Sequence, residues 1–168
     1  MSTINQLLKG RKVLVTGAAR GLGLAFAEQL ARAGARVALA DILEEQVKAS
    51  AATLRDQGLD ATGLAIDVRD PQSVAMAVSQ AVEALGGLDG LVNNAAITNS
   101  GGKTTEELAI DTWDRVMEVN VRGSWLVTNA CLPALRMSGR GAIVNLASDT
   151  AIWGAPQLLA YTASKGAI

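Results

Sequence analysis

KVLVTGAARGLGLAFAEQLARAGARVALAD (Lys12–Asp41) contains one complete unit of the pattern on which the chain is built. KVLVT (Lys12–Thr16) is a short β-branched run with the composition of a strand. The turn TGAARGLG (Thr16–Gly23) follows it. Leu22, Phe26, Leu30 and Ala33 then recur at spacings of three and four, which predicts an amphipathic helix closed by Gly34. RVALA (Arg36–Ala40) is a second strand, and Asp41 comes directly after it. Both strands are nearly continuous in apolar character rather than alternating, as expected of strands covered on both faces.

The same alternation continues along the chain. ATGLAI (Ala61–Ile66), GLVN (Gly90–Asn93) and GAIVNL (Gly141–Leu146) are predicted strands. A second helix is predicted from Leu43 to about Gln57, and a third opens at Asp70-Pro71, an acidic cap followed by proline at the first helical position. A fourth runs from near Asp111 through Val116, Asn120, Val127 and Cys131 as one element. This order calls for an α/β domain with a doubly wound parallel sheet and right-handed crossovers. It forms one domain over residues 1–168, with residues 1–9 as an N-terminal tail and ITNSGGKTT (Ile97–Thr105) as the most flexible-looking loop.

Composition narrows the function. With 49% apolar residues and a formal net charge of −1, the chain can build a core but offers no basic footprint for nucleic acid and no cationic face for a membrane. No apolar run is long enough to span a bilayer, and the first ten residues lack a secretory apolar stretch. The single cysteine, Cys131, forms no internal disulfide and reads as a buried thiol, so a reduced, cytoplasmic setting is expected. There is no histidine at all. Ser-His and Cys-His nucleophiles and histidine-held metals are excluded within the chain, no metal site is expected, and proton transfer must fall to other side chains.

The glycine turn, joined to the start of a helix, suits an anion such as a pyrophosphate, because helix N–H groups and the dipole point at it. It ends in Gly-Leu-Gly rather than Gly-Lys-Ser/Thr, which argues against triphosphate chemistry. Asp41 lies eighteen residues after Gly23, where an acid can hold the hydroxyls of an adenosine ribose.

Six signals in order now resemble the short-chain dehydrogenase/reductase family, in its classical branch. They are the Thr16–Gly23 turn, Asp67-Val68, Asn93–Ala96, Asn120 within MEVNVRGS, Ser148, and Tyr161 with Lys165 in YTASK. The resemblance runs from about Lys12 to Ile168 and implies a Rossmann fold, cut short after the fifth strand and the start of the following helix. It implies cofactor contacts from Thr16, Gly17, Arg20, Gly21, Leu22, Gly23, Asp41, Asp67, Val68, Asn94, Ala95, Tyr161 and Lys165. It also implies catalysis by Asn120, Ser148, Tyr161 and Lys165, with Asn120 holding a water that joins the lysine to solvent; read by themselves, Ser148 could cap the turn after the fifth strand and Asn120 could satisfy backbone in a helix kink. Ala96 stands where the family keeps glycine. Members continue through further strands and helices, so a longer protein is implied, with a homotetramer or homodimer as its assembly and a fifth strand left here as an apolar edge.

The implied reaction is hydride transfer between a nicotinamide and the carbon of a small secondary alcohol or ketone, with Tyr161 moving the hydroxyl proton. A free phenol titrates near pH 10, and bringing one to about 7 takes about 4 kcal/mol. One ammonium at about 4 Å supplies a comparable amount at an effective dielectric of about 20. Lys165, one turn along the same helix, is the expected source. Asp41 favours NAD over NADP, against Arg20, whose charge could pair with a 2′-phosphate. Two other readings stay open: an NADPH-dependent 3-oxoacyl thioester reductase, and a non-catalytic dinucleotide-binding protein. Thr98, Asp149, Ile152 and Trp153 are expected to line the substrate side.

Overall fold

The computed structural model describes residues 7–98 and 101–168. Met1–Gln6 of the expected tail, and Asn99 and Ser100 of the expected flexible loop, lie outside the described residues. The rest of the tail is built into the domain: Leu8 packs against the core and its amide donates to the Ala33 carbonyl at 2.9 Å.

Five parallel strands form one sheet in the order β3-β2-β1-β4-β5, with β1 Lys12–Thr16, β2 Arg36–Asp41, β3 Ala61–Ala65, β4 Gly90–Asn93 and β5 Ala142–Asn145. Helices α1 (Gly21–Arg32), α2 (Glu44–Asp56) and α3 (Pro71–Leu85) connect the first four strands. All of these elements were legible in the sequence to within two residues. The ladder of β2 runs one residue further than expected, pairing Asp41 with Ala65.

Side chains alternate across the sheet and feed two cores. Val13, Val15, Val37 and Leu39 face α1 and α2 and meet Ala27, Ala31, Val47, Ala51 and Leu54. Leu14, Ala38, Ala40 and Leu91 face the opposite way, onto Val74, Val78, Leu85, Val127 and Leu135. Cys131 lies in this second core, where burial pushes its thiol up to about 12 and leaves it inert, as its sequence context predicts. Helix α3 begins as expected, with the Asp70 carboxylate accepting from the amides of Gln72 and Ser73.

The predicted fourth helix is not one regular helix. It consists of α4 (Ile110–Met117), a π-helical turn over Glu118–Gly123 and α5 (Ser124–Met137). Gly123 lets the turn settle on the sheet side, since a Cβ there would come within 2.8 Å of Val68 Cγ2. Two further helices follow β5, the short α6 (Thr150–Trp153) and α7 (Leu159–Ala167). β5 pairs only with β4 among the described strands, and all four of its residues are exposed, so the expected apolar edge is present. No described helix is long and apolar enough to cross a membrane.

At the N-terminal rim of the sheet, Asp89 is 5% exposed and ties three strands together. It accepts from the Lys12 amide at 3.0 Å and from Arg140 Nε and Nη2 at 2.9 and 3.1 Å. Burial pushes its carboxyl upward, but the Arg140 and Lys12 hydrogen bonds outweigh this and hold it below the usual carboxylate range. Such a group stabilises the fold above the pKa of the unfolded chain and loses its effect as pH falls through the lower, folded value. Asp89→Asn is expected to cost about 1–3 kcal/mol in urea unfolding at pH 7, and the gap to the natural chain should close below about pH 4.

Candidate active site

Strand order reverses between β1 and β4, so their outgoing connections part and leave a crevice at the C-terminal rim. Thr16 and Asn94 fix the two lips. The Thr16 hydroxyl accepts from the amides of Asn94 and Ala95 at 3.1 and 3.2 Å, and Asn94 Nδ2 donates to the carbonyls of Thr16 and Gly17 at 3.0 Å each. Thr16 is thus buried in the seam below the crevice.

A cavity of about 490 Å³ opens above this seam. The glycine turn contributes Gly17, Arg20 and Leu22, β2 contributes Asp41, and the segments after β3 and β4 add Asp67, Val68, Asn94 and Ala95. Gly17 has φ +64°, and a Cβ there would stand 2.8 Å from Ala95 Cα. A Cβ on Gly23 would fall 2.1 Å from the Gly17 carbonyl oxygen. Bare glycines therefore let α1 press against the turn. No side chain caps the start of α1, in contrast to α3, and no acid lies in its first turn. Its leading amides and the positive end of its dipole face the turn, which Gly21 completes.

Two carboxylates line the cavity in different states. Asp41 is oriented by backbone, with one oxygen accepting from the Ala19 amide at 2.9 Å and the other from Leu43 at 3.1 Å. Each oxygen keeps a lone pair for a further donor. Asp67 is held by Arg69 through three contacts, from its amide to Oδ1 at 3.0 Å, from Nε to Oδ1 at 2.9 Å and from Nη2 to Oδ2 at 2.6 Å. Hydrogen bonding from Arg69 holds its carboxyl below the usual range despite partial burial.

The four expected catalytic residues come from three elements. Tyr161 and Lys165 share one face of α7, with Lys165 Nζ 5.8 Å from the centre of the tyrosine ring. Lys165 is 6% exposed, burial lowers its pKa, and its ammonium donates to the Leu146 carbonyl at 2.5 Å, just past the end of β5. Asn120 occupies the π turn and is 1% exposed. Its Oδ1 accepts from the Ile97 amide at 2.8 Å, and its Nδ2 donates to the Ile97 carbonyl at 3.0 Å and to Ser164 Oγ at 2.9 Å. Both N–H groups are engaged, so a water held by Asn120 would have to donate to one of its oxygens. Ser148 sits two residues beyond Leu146. Its hydroxyl donates to Asp149 Oδ1 at 3.3 Å and accepts from Thr150 Oγ1 at 3.0 Å, closing the turn into α6.

A sequence model described as short chain dehydrogenase matches residues 11–168. The chain belongs to the short chain dehydrogenase family. It is 39% identical over 161 residues to 2-(S)-hydroxypropyl-CoM dehydrogenase 3 of Xanthobacter autotrophicus, covering 96% of this chain and 62% of that one. It is 40% identical over 161 residues to a 3-alpha-(or 20-beta)-hydroxysteroid dehydrogenase of Mycobacterium bovis, covering 96% and 60%. The crystal structure of an NAD+-bound xylitol dehydrogenase superposes with a TM-score of 0.91 at 33% identity, over 96% of this chain and 62% of that one. The chain thus spans about 60% of the length of the relatives it matches.

In this short chain dehydrogenase chain, Ser148, Tyr161 and Lys165 do not line the 490 Å³ cavity. Ile152 and Trp153, expected on the substrate side, are 78% and 82% exposed on α6. Sequence reasoning missed Arg69 and Arg115, which line the cavity beside Asp67. Arg69 was in reach, since a base two residues after an acid can turn back onto it. Arg115 was not, because only the packing of α4 brings it there. Gly23→Ala, whose Cβ would meet the Gly17 carbonyl, is expected to lower stability by about 1–3 kcal/mol, as thermal melting measures.

Proposed function

We propose that the protein is an oxidoreductase that transfers a hydride between NAD and the carbinol or carbonyl carbon of a small secondary alcohol or ketone. The observation that carries this reading is the placement of a buried ammonium and a phenol on one face of α7, anchored at the same sheet rim as the glycine turn. The cavity residues fit a dinucleotide: an uncapped helix start for the pyrophosphate, Asp41 for a ribose, and Asp67 with Val68 for the base. A bound nicotinamide supplies the hydride acceptor or donor.

Proton transfer belongs to the chain itself. Tyr161 takes the hydroxyl proton of an alcohol, or returns it to a carbonyl oxygen in the reverse direction. Lys165 stabilises the phenolate, and its burial limits the screening of that field by water. Ser148 donates to the reacting oxygen once its hydroxyl leaves Asp149. Asn120 joins the π turn to α7 and to Ile97, and so places the pair. Relatives named 2-(S)-hydroxypropyl-CoM dehydrogenase and 3-alpha-(or 20-beta)-hydroxysteroid dehydrogenase support a CH–OH substrate. The hydroxysteroid name keeps the size of that substrate open.

Asp41 supports NAD rather than NADP, because its backbone-fixed carboxylate would face a 2′-phosphate. A homotetramer or homodimer remains the proposed assembly, and the cytoplasm the proposed setting. Tyr161→Phe should reduce alcohol oxidation to below one thousandth of the natural rate while NADH affinity stays within about threefold. Retained turnover in that variant would exclude the phenol as acid–base group. In parallel titrations, NADH should bind at least tenfold tighter than NADPH, and Asp41→Ala should narrow that ratio. Tighter binding of NADPH to the natural chain would show that Arg20 prevails.

A further inference from the structure

We propose that Ser164 is the positioning residue that fixes α7, and with it Tyr161 and Lys165, against the π turn. This rests on the reading of Tyr161 and Lys165 as the working pair. Ser164 is wholly buried, at 0% exposure, although it is a polar residue inside a helix. Its hydroxyl has one proton, which it donates to the Tyr161 carbonyl at 2.7 Å. The same oxygen accepts from Asn120 Nδ2 at 2.9 Å. One atom thus joins the backbone of Tyr161 to the side chain of the π turn, 44 residues away in sequence.

A helix of nine residues has little stability of its own, so its position is set by what it packs on. Its buried residues are Ala160, Ser164 and Lys165. Ala160 packs without direction, and Lys165 is the group whose placement matters. Ser164 is therefore the buried contact that ties α7 to the π turn, beside the Lys165 ammonium that ties it to Leu146, and it resists sliding and rotation of the helix. Asn120 is itself immobile, because Ile97 holds its amide at two points and Ser124 Oγ donates to its carbonyl at 2.9 Å. The hydroxyl transmits that rigidity to the reacting groups. Loss of it leaves an Asn120 N–H buried without a partner, and the relief open to the structure is a shift of α7.

The test compares Ser164→Ala and Ser164→Cys with the natural protein, with Thr53→Ala as control. Thr53 also donates to a carbonyl of its own helix, at 3.1 Å, but on the exposed face of α2. Ser164→Ala should lower kcat by about ten- to a hundredfold, the scale of a misplacement near 1 Å, with NADH affinity within about twofold. Ser164→Cys, similar in volume and a weak donor, should recover part of that loss. Amide exchange measured by mass spectrometry should quicken at least tenfold across Leu159–Ala167 and stay unchanged in β1, β4 and α3. Thr53→Ala should alter neither readout.

Natural-level exchange in α7 together with natural kcat would overturn the proposal. So would exchange that rises equally throughout the sheet, with NADH affinity falling in step with kcat. If Ser164→Ala does not fold, the same two readouts on Ser164→Cys decide. A natural protein that oxidises no alcohol but whose α7 loosens selectively would refute the proposed reaction and uphold this role for Ser164.

Discussion

Thr16 and Asn94 exchange hydrogen bonds across the one place where neighbouring strands send their connections apart. A parallel sheet that reverses its order must open there, and an opening lined by unpaired backbone would be costly in a buried setting. The hydroxyl and the amide satisfy the exposed ends of β1 and β4 while keeping their loops separate. The glycine turn then leaves β1 in a direction that bares the start of α1, and the segment after β4 becomes the opposite wall. Asp41 adds a second brace, since its carboxylate holds the amide of Ala19 within the turn. The cavity is thus a product of sheet topology, and its polar lining is supplied by the groups that keep the topology from closing.

Much of this was legible in the sequence because it is written locally. Continuous apolar runs, helical spacing and the Asp70-Pro71 start each depend on residues a few positions apart. The glycine turn and YTASK are read the same way, and the structure puts Tyr161 and Lys165 on one face as i and i+4 require. What escaped was tertiary. Asn120 allowed a kink in the fourth helix, but not its form, because the π turn is set by the hydrogen bonding of Asn120 to Ile97 and Ser164 and the fit of Gly123 on Val68. Arg115 reaches the cavity only through the packing of α4. Ser164 looks like a neutral spacer in the motif until its burial and two partners are seen.

The α7 end of the site shows how a chain without histidine arranges a buried cation. Burial works against the charge on Lys165, which taken alone would weaken its effect on the phenol. The Leu146 carbonyl accepts from the ammonium and the Tyr161 ring lies against it, while low exposure preserves the reach of the field. The anchor is a backbone carbonyl rather than a carboxylate. An acid in its place would neutralise the ammonium and cancel its field at the neighbouring phenol.

The π turn has a consequence for how one helical stretch is shared between the sheet and α7. A turn of this type takes up one residue more than the α repeat, so the flanking segments keep the phase of an unbroken helix one residue shorter. Such a helix would still seat Val127, Cys131 and Leu135 on the sheet, and Val116 would keep its place at the other end. Only the inward side chain at position 120 and its ties to Ile97 and Ser164 would be missing. The extra residue thus lets one helical stretch serve two neighbours, the sheet through its flanking segments and α7 through Asn120, without putting either segment out of phase.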